Sequence, residues 1–282
     1  MTDTMEKIGL IIFSIFFLID LNAQKNETVT LTSEQLKQIK AKATELYQAL
    51  DRVTPGEGSA PPSDAFVLFD GSSLDPWQKP FFEYSGSMAE YAEWLPALKR
   101  GPYNTRPADW QLEKGEMVAV PGAGHLVTKE LFGDVQFHIE WLAPENTTKK
   151  GQDYSNSGIF FMGLYEVQIL NSFDNETYSN GQAGAIYKQH TPLVNTTKPP
   201  GNWQRYDIIF STPKFSEKGD LLSSARMTVF HNGVLIQNNV SLLGPTCYIG
   251  QAHYIKHPEE LPILLQDHGN PVRFRNIWAR KL

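Results

Sequence analysis

Short segments in which apolar and polar residues alternate recur from residue 65 to the end of the chain. Successive side chains of a strand point to opposite faces, so this alternation predicts half-buried strands. Residues 135–141 alternate cleanly, and Asn232-Gly233 stands between two further segments as a hairpin-turn signal. Many short strands without a long helix among them predict an all-β sandwich over residues 65–282 and argue against an α/β sheet.

Residues 156–168 predict two short strands joined by a turn at Gly163-Leu164. In the second strand the apolar side chains share one face, and Glu166 and Gln168 share the other. A carboxylate and an amide side by side on a β-face, among aromatic residues, suit the binding and deprotonation of a sugar. The alternative interpretation is a half-buried strand with a solvated polar side.

Residues 1–23 have the pattern of a secretory signal peptide. Lys7 precedes an apolar run at residues 8–19, and a small-residue exit follows at Ala23. The run is short for a membrane span, and an uncleaved anchor is the alternative. The pattern predicts a mature chain that starts near Gln24 and works in the bacterial periplasm or outside the cell.

Residues 24–64 predict one helix and a linker. Thr32 and Gln35 have the spacing of a capping box, and apolar residues recur at helical spacing up to Leu50. A proline- and glycine-rich run at residues 55–62 then ends the helical pattern. We therefore predict an N-terminal amphipathic helix that precedes the sandwich domain.

The net charge of the chain limits the kinds of binding partner that it can have. The formal net charge is −6 and no basic cluster offsets it, which argues against nucleic acid or an anionic membrane surface as the main partner. The single cysteine, Cys247, excludes an intrachain disulfide. No Cys-x-x-Cys or His-Glu-x-x-His pattern occurs, which argues against a preformed structural zinc site.

Several short motifs occur in a fixed order along the β-region. They span residues 68–74, 137–141, 156–161, 165–169, 184–187, 203–207, 231–233, 265–269 and 274–277. On these motifs the chain resembles the 3-keto-disaccharide hydrolase domain family of bacterial secreted proteins, over roughly residues 66–282. The resemblance implies a concanavalin A-like jelly-roll β-sandwich of the lectin/glucanase type. It also implies an enzyme that cleaves glycosides whose sugar already carries a ketone at C3.

The chemistry of a 3-keto sugar needs only one positioned carboxylate. A retaining glycosidase uses two carboxylates about 5–5.5 Å apart, but the second polar position of this strand is Gln168, which cannot act as a nucleophile or an acid. A C3 ketone acidifies the C2 proton, and a single general base can remove it. The C1–O bond then breaks by β-elimination, and water adds to complete a net hydrolysis.

Glu166 is the predicted base or metal-binding carboxylate, and His268 is a predicted proton-transfer group because imidazole titrates near neutrality. Asp267 is predicted to orient His268 or to bind a metal. The enolate oxygen needs donors or a cation, for which Gln168, His268, Arg275 or a bound divalent metal ion are candidates. The predicted substrate-binding residues are Gln168, Arg275, Asn156, Glu140, Tyr187 and Trp203.

The fold alone does not fix the function. A non-catalytic carbohydrate-binding module on the same sandwich is the alternative, and a conventional glycosidase is a third option. In each case the expected ligand is a carbohydrate or glycoside. The aglycone, the linkage, the oligomeric state and the role of an insertion at residues 80–107 stay open at this level.

Overall fold

The computed structural model describes residues 31–80, 88, 91, 106–145 and 148–282. The predicted signal peptide at residues 1–23 and most of the insertion at residues 80–107 lie outside the described residues. The chain divides into two units, Met1–Arg52 and Val53–Leu282. In the part of the chain that is described, no helix has the length and apolar character needed to cross a membrane.

The first unit contains the helix α1 (Ser33–Lys42). The predicted capping box is present: the Gln35 N–H donates to Thr32 Oγ1 over 3.2 Å, and the Thr32 N–H donates to Gln35 Oε1 over 2.8 Å. The helix ends at Lys42, whereas its apolar spacing predicted a helix up to Leu50. None of its residues is buried, and Leu46 beyond it is 87% exposed, so no packing supports a longer helix.

The second unit is built from short strands, as predicted. The strands are β1 (Phe66–Phe69), β2 (Trp77–Lys79), β3 (Arg106–Pro107), β4 (Gln111–Glu113), β5 (Glu116–Val118), β6 (Leu126–Thr128), β7 (Val135–Leu142), β8 (Ser157–Phe161), β9 (Tyr165–Ile169), β10 (Gln204–Ser211), β11 (Lys214–Phe215), β12 (Leu221–Ser223), β13 (Arg226–His231), β14 (Val234–Ser241), β15 (Leu264–Leu265) and β16 (Arg273–Lys281).

These strands form two large antiparallel sheets. The eight-stranded sheet has the order β14-β13-β10-β7-β16-β5-β4, with β1 paired to β16, and the six-stranded sheet has the order β3-β2-β6-β15-β8-β9. Strands β11 and β12 form a separate pair. The two large sheets pack face to face: the rings of Phe137 on β7 and Phe161 on β8 meet edge to face at 5.5 Å, and Phe161 stacks on Phe210 of β10 at 5.1 Å. The predicted all-β sandwich is confirmed.

Two hairpins of the eight-stranded sheet follow from local sequence. Lys114 and Gly115 join β4 to β5, and Asn232 and Gly233 join β13 to β14, with all four residues at positive φ. Two consecutive residues at positive φ give a turn whose twist matches that of the flanking strands. These turns set the register of the strands on either side of the central strands β7, β10 and β16.

Candidate active site

The polar face of β9 forms the floor of a pocket. In β9 the apolar residues Tyr165, Val167 and Ile169 enter the core, so Glu166 and Gln168 lie on the outer face of the six-stranded sheet. A cavity of about 480 Å³ opens over this face, a size typical of small-molecule sites, which span roughly 300–1,000 Å³. The residues that line it are His125, Gln152, Asp153, Asn156, Glu166, Gln168, Tyr178, Tyr187, Lys188, Thr246, Tyr248, Gln266, Asp267 and His268.

Glu166 is a nearly buried carboxyl group, with 4% of its surface exposed. Burial raises its pKa well above the ordinary value of a glutamate, because the ionised form loses its hydration. Its backbone N–H donates to Thr246 Oγ1 over 3.0 Å, which ties β9 to the loop after β14. The ionised form of such a group is a stronger base than an exposed glutamate, which suits the removal of a proton from carbon.

Gly158 makes room for the Glu166 carboxyl group. A Cβ atom at this position of β8 would lie 2.6 Å from Glu166 Oε1 and 2.8 Å from the Phe160 ring. Both distances are too short for carbon, so a larger residue here would displace the carboxyl group. This contact gives a physical reason for glycine in the Asn156-Ser157-Gly158 segment.

The amide of Gln168 contacts the Glu166 carboxyl group. The amide atom that faces Glu166 lies 3.1 Å from Oε1 and 2.9 Å from the Ser157 carbonyl oxygen. Because that carbonyl accepts hydrogen bonds whether or not Glu166 is protonated, we assign this atom as Nε2, the donor. Gln168 therefore holds Glu166 in place. Nearby, the Asn156 amide donates to the Gln152 carbonyl oxygen over 2.6 Å.

Asp267 organises the loops at the mouth of the pocket. Its carboxylate accepts the backbone N–H groups of Gly122, Gly124 and Gly269 over 2.8, 3.0 and 2.9 Å. Its own N–H donates to His125 Nδ1 over 3.0 Å. Because Nδ1 accepts this bond, the neutral His125 ring carries its proton on Nε2. His268 is exposed and lies at the rim.

Tyrosine hydroxyl groups and one lysine form a further part of the wall. The hydroxyl groups of Tyr178 and Tyr187 are 2.7 Å apart, so one donates to the other, and burial raises the pKa of both, which keeps both protonated. Lys188 Nζ lies 4.2 Å from the centre of the Tyr248 ring and donates to the Tyr248 carbonyl oxygen over 2.6 Å. The pocket therefore offers hydroxyl donors and a cation next to a buried carboxyl group.

Three predicted substrate-binding residues lie on the other sheet. Glu140 Oε2 accepts from Arg275 Nε over 2.7 Å, and the Arg275 guanidinium lies 4.0 Å from the centre of the Trp203 ring. Phe137 and Ile139 of β7 point into the core, so Glu140 lies on the outer face of the eight-stranded sheet. The structure thus brings together Glu166, Gln168, Asp267, His268, Asn156 and Tyr187, and it separates Glu140, Arg275 and Trp203 from them.

The residues present do not form a ready site for the divalent metal considered above. Among the described residues, no group of three or more histidine, cysteine, aspartate or glutamate side chains is placed to hold a metal ion. In the pocket, the Asp267 carboxylate already accepts three backbone amides. We therefore derive no step of the chemistry through a metal.

Proteins of similar sequence and structure indicate the class of this protein. The family model and the solved neighbours of this β-sandwich support a carbohydrate-active protein. Within that class, the chain belongs to the 3-keto-alpha-glucoside-1,2-lyase-like domain family, whose model matches residues 64–280. The family predicted from the sequence motifs is confirmed.

Two solved structures are similar to the chain. A putative glycosyl hydrolase from Parabacteroides distasonis ATCC 8503 shares 38% identity, covers 92% of this chain and 100% of its own, and superposes with a TM-score of 0.73. A second putative glycosyl hydrolase from the same organism shares 15% identity over 78% of this chain and 94% of its own, with a TM-score of 0.51, and shows the fold alone. No curated protein matches the chain.

Proposed function

We propose that this protein is an exported enzyme that cleaves 3-keto-glycosides by removing the proton at C2 of the sugar. The observation that carries the proposal is Glu166, a single buried carboxyl group whose pKa is raised by burial, on the floor of a polar pocket. Perturbed carboxyl groups in clefts are concentrated at catalytic sites. Family membership and the 38% identical glycosyl hydrolase support a sugar substrate.

The proposed reaction has two stages. Glu166 takes the C2 proton, and the electron pair moves toward the C3 ketone to give an enolate. Return of that electron pair forms the C1–C2 double bond and expels the C1 oxygen substituent, which takes up a proton and leaves as an alcohol. Water then adds at C1 and a proton returns to C2, so that the net reaction is hydrolysis. The same carboxyl group serves as base and then as acid.

The pocket supplies groups for each developing charge. The Tyr178–Tyr187 pair and Lys188 are candidates to donate to the enolate oxygen, because donors held in place before the reaction stabilise the charge that develops there. His125, with its proton on Nε2, and His268 at the rim are candidates to protonate the departing oxygen. Gln168 orients the base through its 3.1 Å contact with Oε1.

The test compares a glucoside with its 3-keto derivative. The wild-type protein should release the alcohol from the 3-keto form much faster than from the unoxidised parent. Glu166→Gln keeps the shape of the side chain and removes the base, so its turnover of the 3-keto form should fall by about 10²–10⁴-fold while binding persists. The matched control is Glu116→Gln, a partly buried glutamate of the eight-stranded sheet that pairs with Arg273, which should retain wild-type turnover.

A C2-deuterated 3-keto-glucoside tests the mechanism independently. Elimination transfers the deuterium from C2 to the Glu166 carboxyl group, where it exchanges with the water that enters for the second stage, so product formed in water should have lost it. Product that retains all of its deuterium would reject elimination in favour of direct displacement at C1. Equal rates on the two sugars would reject the 3-keto preference. Binding without turnover, in wild type and variants alike, would favour the carbohydrate-binding module instead.

A further inference from the structure

The strand that carries Glu166 lies at the edge of its sheet. β9 is the last strand of the six-stranded sheet, with β8 as its neighbour, and loop residues cover its other edge. On that edge the Glu166 N–H donates to Thr246 Oγ1 over 3.0 Å, and the Glu166 carbonyl oxygen accepts the Tyr187 N–H over 3.4 Å. Backbone groups at a sheet edge have no further strand to pair with, so loops must supply their partners. The position of Glu166 therefore depends on the loops that carry Thr246 and Tyr187.

Three hydrogen bonds fix Thr246 in the irregular loop after β14. Its Oγ1 accepts the Glu166 N–H, and its own N–H donates to the Leu164 carbonyl oxygen over 2.8 Å, in the turn that precedes β9. Its carbonyl oxygen accepts the Tyr91 hydroxyl over 2.9 Å. Thr246 and Tyr91 are both buried, so water does not readily replace a bond that is lost between them.

Tyr91 belongs to the insertion at residues 80–107. Its ring is part of the hydrophobic core, and Met88 of the same insertion packs against that core. The Tyr91 hydroxyl thus reaches Thr246 from the core, whereas Thr246 and Tyr248 of the same loop line the pocket. The insertion is therefore connected to the proposed base through a single loop residue.

We propose that Tyr91 is a positioning residue that holds Glu166 in place through Thr246. This inference rests on the proposed function of Glu166 and assigns a role to the insertion. Without the Tyr91 hydroxyl, the buried Thr246 carbonyl oxygen loses a donor, and the loop must shift to bring it to water. That shift weakens the support of β9 at its edge, so Glu166 moves relative to C2 of the sugar and water enters beside it.

Tyr91→Phe removes one hydroxyl group and tests this inference directly. Proton removal depends on the placement of the Glu166 carboxylate against C2, so kcat for the 3-keto-glucoside should fall about tenfold or more, with KM within about twofold. The matched control is Tyr254→Phe, which lies outside the pocket lining. The Tyr254 hydroxyl donates to the Leu242 carbonyl oxygen over 2.9 Å, at the start of the same loop, and accepts the Ala225 N–H over 2.8 Å. The control should keep wild-type kcat, and equal losses in the two variants would overturn the inference.

The pH dependence of kcat/KM separates positioning from a general loss of structure. Glu166 acts as a base only when it is ionised, so kcat/KM falls as the pH drops below its folded pKa, which burial holds above the ordinary value of 4.5. Water beside the carboxyl group lowers that pKa, so the acid limb of the profile should move to lower pH in Tyr91→Phe. Tyr254→Phe should keep the wild-type limb. An acid limb that does not move in Tyr91→Phe would contradict the inference.

Substitutions of Thr246 test the link between Tyr91 and Glu166. Thr246→Val keeps the shape of the side chain and removes the acceptor of the Glu166 N–H, so it should reproduce the loss of kcat. Thr246→Ser keeps the hydroxyl group and should restore turnover relative to Thr246→Val. Wild-type kcat in Thr246→Val would reject the route through Thr246. Circular dichroism checks folding, and a Tyr91→Phe protein that does not fold would show that Tyr91 supports the whole domain and not Glu166 in particular.

A titration of Glu166 separates failure of this inference from failure of the enzyme proposal. In protein labelled with ¹³C at the glutamate carboxyl groups, the Glu166 signal is the one that Glu166→Gln lacks, and its chemical shift reports the pKa without a substrate. The wild type could turn over neither the 3-keto-glucoside nor its parent while the Glu166 pKa is lower in Tyr91→Phe and unchanged in Tyr254→Phe. In that case the proposed function fails and the link from Tyr91 to Glu166 stands. The same Glu166 pKa in all three proteins would overturn the link.

Discussion

Burial of the Glu166 carboxyl group lowers the stability of the fold when that group is ionised. An ionised carboxylate away from water is strongly disfavoured, so the group is retained in its neutral form over a wider pH range than an exposed glutamate. The Gln168 amide and the Thr246 hydroxyl fix the residue without supplying a positive charge. Burial of Glu166 thus lowers the free energy of unfolding and at the same time makes its ionised form a stronger base.

The pH dependence of stability gives a test of this residue. The folded pKa of Glu166 is raised, so the folded protein binds more protons than the unfolded chain at pH values above the ordinary glutamate pKa of 4.5. Stability is therefore lost as pH rises from that value toward the folded pKa, and Gln at this position removes the loss. We expect Glu166→Gln to match wild type near pH 4 and to exceed it increasingly at higher pH, in urea unfolding measured over a pH series.

Glu116→Gln provides the comparison for this measurement. Glu116 pairs with Arg273 over 2.8 Å and is partly exposed, so its substitution should lower stability slightly, with no gain at high pH. A Glu166→Gln protein whose advantage over wild type does not change with pH would show that burial of the charge is not the cause.

At the level of strands, the sequence pattern predicts which side chains face the core but not which sheet a strand joins. The alternation in β7 and β9 correctly separated core residues from outward residues, because side chains follow a period of two. Nothing in that period tells which of two stacked sheets a strand joins. Glu140 and Glu166 were therefore grouped in one predicted site, whereas β7 and β9 belong to different sheets.

His125 shows the other gap in the sequence-based prediction. It lies in the loop before β6, 142 residues before Asp267, whose backbone N–H fixes its ring. The pairing of β6 with β15 and the long-range bonds from Gly122 and Gly124 to the Asp267 carboxylate bring this loop to the pocket. Short motifs identify functional residues that are close together in the chain. A loop that is held in place by contacts with distant residues has no recognisable motif in the sequence.

The linker before β1 packs against the outer face of the eight-stranded sheet. The Ser59 carbonyl oxygen accepts from Trp278 Nε1 over 3.0 Å and from Asn276 Nδ2 over 3.1 Å. Ser59 Oγ donates to Glu140 Oε1 over 3.2 Å, and Asn276 Nδ2 lies 3.0 Å from the same carboxylate oxygen. Asn276, at φ 47°, therefore joins the linker to β16 and β7.

We expect Asn276→Gly to destabilise the domain without affecting the pocket. Glycine keeps the positive φ and removes the amide, which leaves Ser59 and Glu140 short of partners and should lower the free energy of unfolding by about 1–3 kcal/mol. Asn239→Gly, at φ 49° in β14, is the matched control: it removes one exposed bond, from Arg226 Nε to Asn239 Oδ1, and should change stability by about 0.5 kcal/mol or less. Denaturant unfolding measures both, and equal effects would show that the linker contact contributes nothing.

At the scale of the whole molecule, sequence motifs were sufficient to predict the sandwich and its family. The motifs extend over most of the second unit, and the family model covers residues 64–280. The predicted helix was too long because helical spacing alone does not hold a helix without burial, and α1 ends at Lys42. Tyr91 of the insertion is fully buried, and its hydroxyl donates to the Thr246 carbonyl oxygen over 2.9 Å, a contact that no local pattern predicts.

Export is a prediction for the whole chain. If residues 1–23 act as a signal peptide, the protein isolated from its native host should begin near Gln24. N-terminal sequencing or intact-mass measurement of the extracytoplasmic fraction checks this directly. A full-length chain recovered only with membranes would support the uncleaved anchor instead.

The close approach of Gly158 to Glu166 also constrains how this site can change in evolution. A Cβ at residue 158 would fall 2.6 Å from Glu166 Oε1, so a larger residue there requires the carboxyl group to move. A lineage that exchanges the glycine first disturbs the proposed base, and one that shortens the glutamate first removes it. Under the proposed mechanism, both single-step paths pass through a less active protein. Divergence of substrate preference is therefore expected to proceed through the surrounding loops, while this pair stays fixed.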